Sequence, residues 1–238
     1  MASIITVHPE NPQARQIEKI VSALKQGAIV LYPTDTVYAI GCDLNAKEAI
    51  EQVRRIKQLS NDKPLTFLCP SLSNIAAYAL VSDTAYRIMR RLVPGPYTFI
   101  LPATKLVPRL VMNAKRKTTG IRVPNHPICA ALLAALDHPI ISTSAHLLSE
   151  EETELVTGHK RDVCPLPTVL AQEWIPKAEL FDCLHNIVDL IVDDQLEPGY
   201  EVSTILDLTS QEPALIRQGS GWESVQDWLT PHLANAID

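Results

Sequence analysis

Short apolar runs alternate along this sequence with stretches in which apolar residues recur at helical spacing, and this alternation limits the fold more than any other feature. The clearest helical stripe comprises Ile17, Ile20, Val21 and Leu24. Gly27 follows it where many helices end, and Pro33 ends the next apolar run, 28–32, as expected for a buried strand. The order of these signals predicts a single α/β domain in which helices flank a twisted mixed β-sheet.

The same patterns predict the remaining elements. Strands are expected at residues 28–32, 65–69, 97–101, 119–123, 139–142, 187–192, 201–208 and 214–217. Helices are expected at residues 47–57, 72–80, 83–92, 126–136 and 222–229. Residues 149–186 are acidic at first and then contain three prolines, which predicts an insertion on the rim of one domain that spans residues 1–238.

Composition places the chain among ordinary globular proteins, because 46% of its residues are hydrophobic and its mean hydropathy is +0.05. No apolar run approaches the ~20 residues that a membrane span needs, and the N-terminus lacks the pattern of a signal peptide. We therefore expect no membrane association and a cytoplasmic location. The five cysteines form no Cys-x-x-Cys pair, so we predict neither a disulfide framework nor a protein-bound metal.

The charge of the chain is unevenly distributed. Residues 54–122 contain 13 of the 21 Lys and Arg residues but only two acidic residues, for a net charge of +11 within a chain of net charge −6. Residues 149–198 contain 12 acidic residues against three basic ones. A concentrated positive potential attracts phosphate-bearing partners, so residues 54–122 are predicted to form a concave basic surface that binds an anion. The alternative is an ordinary solvated face.

Polar side chains gather directly after several predicted strands. In open α/β sheets, ligands bind beyond the carboxyl ends of the strands. Hydroxyl and guanidinium groups without a paired carboxylate or a nucleophile next to a base favour a site that holds substrates and stabilises phosphate charge. The sequence contains no Walker loop, so a nucleotide would need a different cradle. The positions are residues 34–36, 118–122 and 142–146, and Ser203 and Thr204 with Arg217.

Taken together, these motifs resemble the YrdC/YciO family, whose best-known members are threonylcarbamoyl-AMP synthases of tRNA modification. The likeness covers nearly the whole chain and is greater for the YciO branch, because of residues 94–101 and 115–120. The motifs are Pro33-Thr34-Asp35-Thr36-Val37-Tyr38-Ala39-Ile40-Gly41-Cys42-Asp43, Ile56-Lys57, Lys63-Pro64-Leu65, Pro94-Gly95-Pro96-Tyr97-Thr98, Gly120-Ile121-Arg122-Val123-Pro124, Ser142-Thr143-Ser144-Ala145, Ser203-Thr204-Ile205-Leu206-Asp207 and Ile216-Arg217-Gln218-Gly219.

The resemblance implies a nucleotidyltransferase reaction. L-threonine takes up bicarbonate as a carbamate, which attacks the α-phosphate of ATP, supplied with Mg²⁺, and releases pyrophosphate. By the same resemblance, the amino acid would be bound by Thr34, Arg122, Ser142, Ser144 and Ser203. ATP would be bound by Lys57, Lys63, Thr118, His146 and Arg217. The catalytic residues among them would be Lys57, Arg122 and Ser144, and tRNA or double-stranded RNA would contact Lys115, Arg116 and Lys117.

Two positions depart from the synthase pattern. The active synthases carry Lys-x-Arg and Ser-x-Asn, whereas this chain has Leu59 after Lys57-Gln58 and His146 after Ser144-Ala145. The resemblance therefore predicts a weakened synthase. One alternative is an RNA-binding protein of the YciO branch that reads RNA by shape and backbone charge. Another is a related carbamoyl or acyl transfer to a different small amine. No oligomeric state is predicted.

Overall fold

A computed structural model describes residues 1–57, 64–145 and 176–226. Among them, ten strands form one sheet. The strands are β1 (Ser3–Thr6), β2 (Val30–Tyr32), β3 (Ala39–Asp43), β4 (Thr66–Leu68), β5 (Tyr97–Pro102), β6 (Thr118–Arg122), β7 (Ile140–Ser144), β8 (Leu190–Asp193), β9 (Thr204–Asp207) and β10 (Ala214–Arg217). The α-helices are α1 (Ala14–Lys25), α2 (Lys47–Ile56), α3 (Asp83–Leu92), α4 (Pro127–Leu136) and α5 (Lys177–Leu184).

The sheet is mixed, with the strand order β1-β8-β2-β3-β7-β4-β6-β5-β9-β10. Its parallel pairs are β1 with β8, β8 with β2, β4 with β6, and β5 with β9, and the other neighbours are antiparallel. This architecture confirms the prediction of a single α/β domain with a large mixed sheet. No helix among the described residues is long and apolar enough to cross a bilayer.

Apolar side chains cover one face of the sheet along most of its width. Alternation along each strand directs Leu31, Ile40, Phe67, Ile121 and Phe99 to this face, where all five are buried. Helices α2, α3 and α5 pack on it through buried residues that belong to the same apolar cluster. We call this side the covered face.

The opposite face is covered only in part. Helices α1 and α4 pack together over a second apolar cluster, whose strand residues come from β2, β3, β4, β7 and β8. Strands β6, β5, β9 and β10 contribute no buried residue to this cluster. On the same face they present mainly polar side chains, and we call this half the open face. Its residues include Thr98, Thr118, Arg122, Ser203, Asp207 and Arg217.

Several element predictions need correction. Strands β1 and β3 and helix α5 were not predicted, and residues 72–77 form a 3-10 helix rather than part of an α-helix. Strand β3 contains a glycine and follows a polar turn, so its local signal was that of a loop, yet all five residues are buried. Within the helix predicted at 222–229, the described residues Trp222–Ser224 form a 3-10 turn. The predicted insertion at 149–186 lies mainly outside the described residues.

Replacement of Phe67 by Ala tests the covered face. Phe67 has no exposed surface, and its ring stacks on Tyr78 with the centroids 4.8 Å apart. We expect Phe67→Ala to lower the free energy of unfolding by about 3–5 kcal/mol because it leaves a cavity in the core. Urea denaturation measures this loss, and Tyr86→Ala, at a side chain that is 48% exposed, is the control. Equal losses in the two variants would contradict the assignment of the core.

Candidate functional site

A row of small side chains crosses the sheet between the half that α1 and α4 cover and the open face. We call this region the crevice and the row its floor. Gly41 of β3, Ser142 of β7, Thr66 of β4 and Gly120 of β6 lie side by side in register. A Cβ atom at Gly120 would lie 2.9 Å from Oγ1 of Thr66. A larger residue there would displace this hydroxyl group. The floor therefore combines two serine or threonine hydroxyls with two positions that have no side chain.

The guanidinium group of Arg122 lies at the end of β6 and is almost fully buried. Its Nη2 donates to Oδ1 of Asp35 at 2.7 Å and to Oγ1 of Thr36 at 2.9 Å. The other carboxylate oxygen of Asp35 accepts the backbone N–H of Asn125 at 3.0 Å. Only 10% of each charged side chain is exposed. This ion pair ties the loop after β2 to the segment after β6, and Nε of Arg122 has no hydrogen-bond partner in the described part of the chain.

The side chain of Thr34 organises the same loop. Its hydroxyl donates to the carbonyl of Val37 at 2.7 Å and accepts the backbone N–H of Thr36 at 3.1 Å. Such contacts are typical of a threonine that stabilises a turn. Thr34 thus acts on the site by shaping the loop that presents Asp35 to Arg122.

A second guanidinium group, that of Arg217, lies on β10. Its Nε and Nη2 donate to the carbonyl of Ser203 at 3.1 and 2.8 Å, and Nη2 also contacts Oγ of Ser203 at 3.2 Å. Oγ of Ser203 lies 3.0 Å from Oγ1 of Thr98. Burial and the positive charge of Arg122 lower the pKa of Arg217. An anionic ligand near both guanidinium groups would reduce the repulsion between them.

Tyr32, which the sequence analysis did not single out, reaches into this crevice from β2. Its hydroxyl donates to Oγ of Ser142 at 2.6 Å. Burial raises the pKa of Tyr32 well above its ordinary value, and Cys129 acts in the same direction, whereas Ser142 and Arg122 oppose the rise. Tyr32 was missed because it ends an apolar run and reads as a core residue. The available signal was Gly41 on the neighbouring strand β3, which leaves room for a large side chain.

The structure brings most of the predicted ligand-binding residues to one face. The open face and its floor hold Arg122, Ser142, Ser144, Ser203, Thr118 and Arg217, and Thr34 lies in the adjoining loop. Lys57 follows α2, which packs on the covered face, and its side chain is buried. Lys63 and His146, together with Leu59, lie outside the described residues. Each assignment to amino acid or ATP stays a prediction.

The three predicted RNA-binding residues form the tip of the turn before β6. Lys115, Arg116 and Lys117 are exposed, and Oδ1 of Asn113 accepts the backbone N–H groups of the first two at 3.0 and 2.8 Å. Nη2 of Arg116 donates to Asp207 at 2.6 Å. Burial alone would raise the pKa of Asp207, but hydrogen bonds from Thr209 and Arg116 lower it. Part of the charge at this tip is therefore neutralised.

The positive charge of residues 54–122 lies on both sides of the sheet. Arg116 and Arg122 belong to the side of the crevice. Three exposed arginines lie on α3, which packs on the covered face: Arg87, Arg90 and Arg91. The described residues contain no group of three or more His, Cys, Asp or Glu that could hold a metal ion. The donors of the crevice are hydroxyl and guanidinium groups, which suit an anion.

Comparisons with known proteins agree with this architecture. A family model, Sua5/YciO/YrdC with the description "Telomere recombination", matches residues 22–160. The chain is 38% identical over 221 residues to the uncharacterized protein YciO of Escherichia coli (strain K12), which covers 93% of this chain and 97% of that protein. It is 36% identical over 143 residues to a threonylcarbamoyl-AMP synthase of Vibrio vulnificus (strain YJ016), which covers 59% of this chain and 76% of that protein.

Solved structures show the same fold. The crystal structure of E. coli YciO superposes with a TM-score of 0.79 at 37% identity and covers 93% of this chain and 97% of that one. The crystal structure of P. abyssi Sua5 complexed with L-threonine superposes with a TM-score of 0.77 at 23% identity and covers 95% of this chain and 60% of that one. At that identity, the second likeness shows the fold alone.

Replacement of Asp35 by Asn tests the ion pair that ends the crevice. The variant keeps an acceptor for Arg122 but removes the compensating charge, which leaves a buried guanidinium group unpaired. We expect a loss of about 3 kcal/mol in the free energy of unfolding, measured by urea denaturation. Asp83→Asn, at an exposed position on α3, should change it by less than about 1 kcal/mol. If the two variants were equally stable, the ion pair between Asp35 and Arg122 would not contribute to the stability of the domain.

Proposed function

The chain belongs to the Sua5/YciO/YrdC family, and from this premise we propose that its crevice binds L-threonine beside ATP and forms threonylcarbamoyl-AMP from them and bicarbonate. The observation that carries the proposal is the pair of guanidinium groups, Arg122 and Arg217, on one open sheet face above a floor of hydroxyl groups. Arginine recognises carboxylate and phosphate oxygens through two parallel hydrogen bonds. Such a crevice suits a small zwitterion next to a triphosphate.

The proposed reaction has two bond-forming steps. The amine of threonine adds to the carbon of CO₂, derived from bicarbonate, and loses one proton, which gives a carbamate. A carbamate oxygen then attacks the α-phosphorus of ATP, and the bond to the oxygen that bridges to the β-phosphate breaks. Pyrophosphate leaves, and threonylcarbamoyl-AMP remains. Positioning and charge stabilisation are the contributions that the protein would make to such a transfer.

The residues of the crevice would divide this work. Arg122 would bind the carboxylate of threonine, and Ser142 and Ser144 would donate hydrogen bonds to it or to the carbamate. Arg217, held by Ser203, would bind phosphate oxygens as charge moves onto the pyrophosphate. Because the carboxylates at the crevice and on the open face, Asp35 and Asp207, are already paired with Arg122 and Arg116, the nucleotide would enter as its magnesium complex, with the phosphates as the main ligands of the ion.

The chemistry is expected to be slow. Leu59 and His146 stand where the synthase pattern has Arg and Asn, and the loss of one positioned donor costs roughly 10²–10³ in rate. The relatives named as threonylcarbamoyl-AMP synthase support the reaction type. A pocket altered at these two positions would also suit transfer to a different small amine. Measurement of pyrophosphate release with other amino acids tests this alternative.

Pyrophosphate release tests the proposal. At high enzyme concentration, release should require both L-threonine and bicarbonate, and Arg122→Ala should lower it at least 100-fold because the carboxylate loses its partner. Arg122→Lys keeps the charge without the two-pronged geometry and should lower it about tenfold. Arg87→Ala, at an exposed position on α3, is the control. Release that needs neither threonine nor bicarbonate would rule the reaction out.

A second candidate function is the binding of structured RNA through the turn at residues 115–117, which the exposure of its three basic side chains favours. We expect Lys115→Glu with Lys117→Glu to weaken binding to duplex RNA at least tenfold and to reduce its salt dependence. Arg116 stays unchanged in this variant because it holds Asp207. Fluorescence anisotropy at several salt concentrations measures the effect. The matched control is Arg90→Glu with Arg91→Glu, on the other side of the sheet. If the two double variants bound duplex RNA with equal affinity, the turn at residues 115–117 would be excluded as the RNA-binding surface.

A further inference from the structure

The side chain of Tyr32 crosses one strand to reach the floor of the crevice. It starts on β2 and passes over β3 at Gly41, and its hydroxyl lies 2.6 Å from Oγ of Ser142 on β7. A Cβ atom at Gly41 would lie 2.8 Å from Cε1 of the Tyr32 ring. The absence of a side chain at Gly41 is therefore what allows the ring to take this path.

The direction of this hydrogen bond decides what Ser142 can do. The phenol of Tyr32 is fully buried, which raises its pKa and keeps it protonated, so that it donates to Oγ of Ser142. A serine hydroxyl has one hydrogen and two lone pairs. Once its oxygen accepts from Tyr32, its own hydrogen remains for another partner. In the described residues no acceptor for that hydrogen is present, although Ser142 is only 5% exposed.

Arg122 lies on the same side of the sheet as Ser142. Gly120, two residues before Arg122 on β6, shares the row of the floor with Ser142, and the charge of Arg122 opposes the rise in the pKa of Tyr32. A ligand oxygen that approaches Arg122 would therefore also come near the hydroxyl of Ser142. Both groups offer hydrogens, and an anionic oxygen is the acceptor that fits them.

We propose that Tyr32 is a positioning residue of the crevice, which turns the hydroxyl of Ser142 toward a carboxylate or carbamate oxygen of the amino acid. This inference rests on the proposed function, because it assigns the amino-acid end of the crevice to Ser142 and Arg122. Without the phenol, the oxygen of Ser142 would lose the donor that fixes its orientation, and its hydrogen would no longer be held toward the substrate. The substrate would then lose one donor while the fold kept its shape.

Tyr32→Phe is the direct test, because it removes one oxygen atom and leaves the ring. Isothermal titration with L-threonine should show about tenfold weaker binding, the effect of a lost hydrogen bond to a charged group, and titration with the magnesium complex of ATP should be unchanged. In the pyrophosphate assay, KM for threonine should rise about tenfold while KM for ATP stays constant. Gly41→Ala, which displaces the ring, should change the same parameters in the same direction.

Tyr38→Phe is the matched control. The phenol of Tyr38 donates to Oδ1 of Asp194 at 2.8 Å, and its ring packs against Phe181 on the covered face. The variant removes the hydroxyl of a second buried tyrosine. Because this hydroxyl donates to a carboxylate, the melting temperature should fall at least as far as that of Tyr32→Phe. Its affinity for L-threonine should stay within twofold of that of the unmodified protein.

Each result has a defined meaning. If Tyr32→Phe binds L-threonine as tightly as the unmodified protein does, the role of Tyr32 is refuted and the proposed function stands. Equal losses of affinity in Tyr32→Phe and Tyr38→Phe would also refute it, because the effect would then follow from stability alone. If the unmodified protein binds neither L-threonine nor ATP, the proposed function fails, and the role of Tyr32 fails with it.

Discussion

The buried ion pair between Arg122 and Asp35 holds the crevice together. The two residues are 87 positions apart in the chain, and their contact brings the loop after β2 to the segment after β6. A buried ion pair is stable only when further hydrogen bonds satisfy its remaining atoms, because both charges lose their water. Thr36 and the backbone of Asn125 supply these bonds. The position of the Arg122 guanidinium group therefore depends on this polar network rather than on the apolar core.

The sheet explains why the crevice lies where it does. Helices α1 and α4 cover one half of a face and leave the other half to strands with polar side chains. Where the two halves meet, Gly41 leaves room for the ring of Tyr32, and Gly120 leaves room beside the hydroxyl of Thr66. The helices that bury the covered face and half of the other face thus leave the remaining half open and polar.

The sequence predicted most of the fold because long apolar patterns report on burial. Helices α1 to α4 and eight of the strands agree with the predicted segments to within a few residues. Strand β3 was missed because its stability comes from neighbours on both sides, which local residue types do not reveal. For the same reason Asp35 was expected near a ligand rather than as the partner of Arg122, and Tyr32 was not singled out. Contacts between side chains on different strands and loops depend on the tertiary structure, which local residue patterns do not report.

Under the proposed function, the two departures from the synthase pattern affect one substrate, ATP, more than the other. Leu59 and His146 replace residues that the synthase pattern directs to ATP, whereas the groups assigned to the amino acid, Arg122 and Ser142, have hydrogen-bond partners in the structure. A protein that only had to bind its amino acid would tolerate these two replacements. Groups that contact phosphate contribute most to the rate, at the step in which pyrophosphate leaves. A chain with this division should bind its amino acid with ordinary affinity and transfer it slowly. Under the proposed function, the crevice would be organised more strictly for recognition of the amino acid than for the rate of transfer.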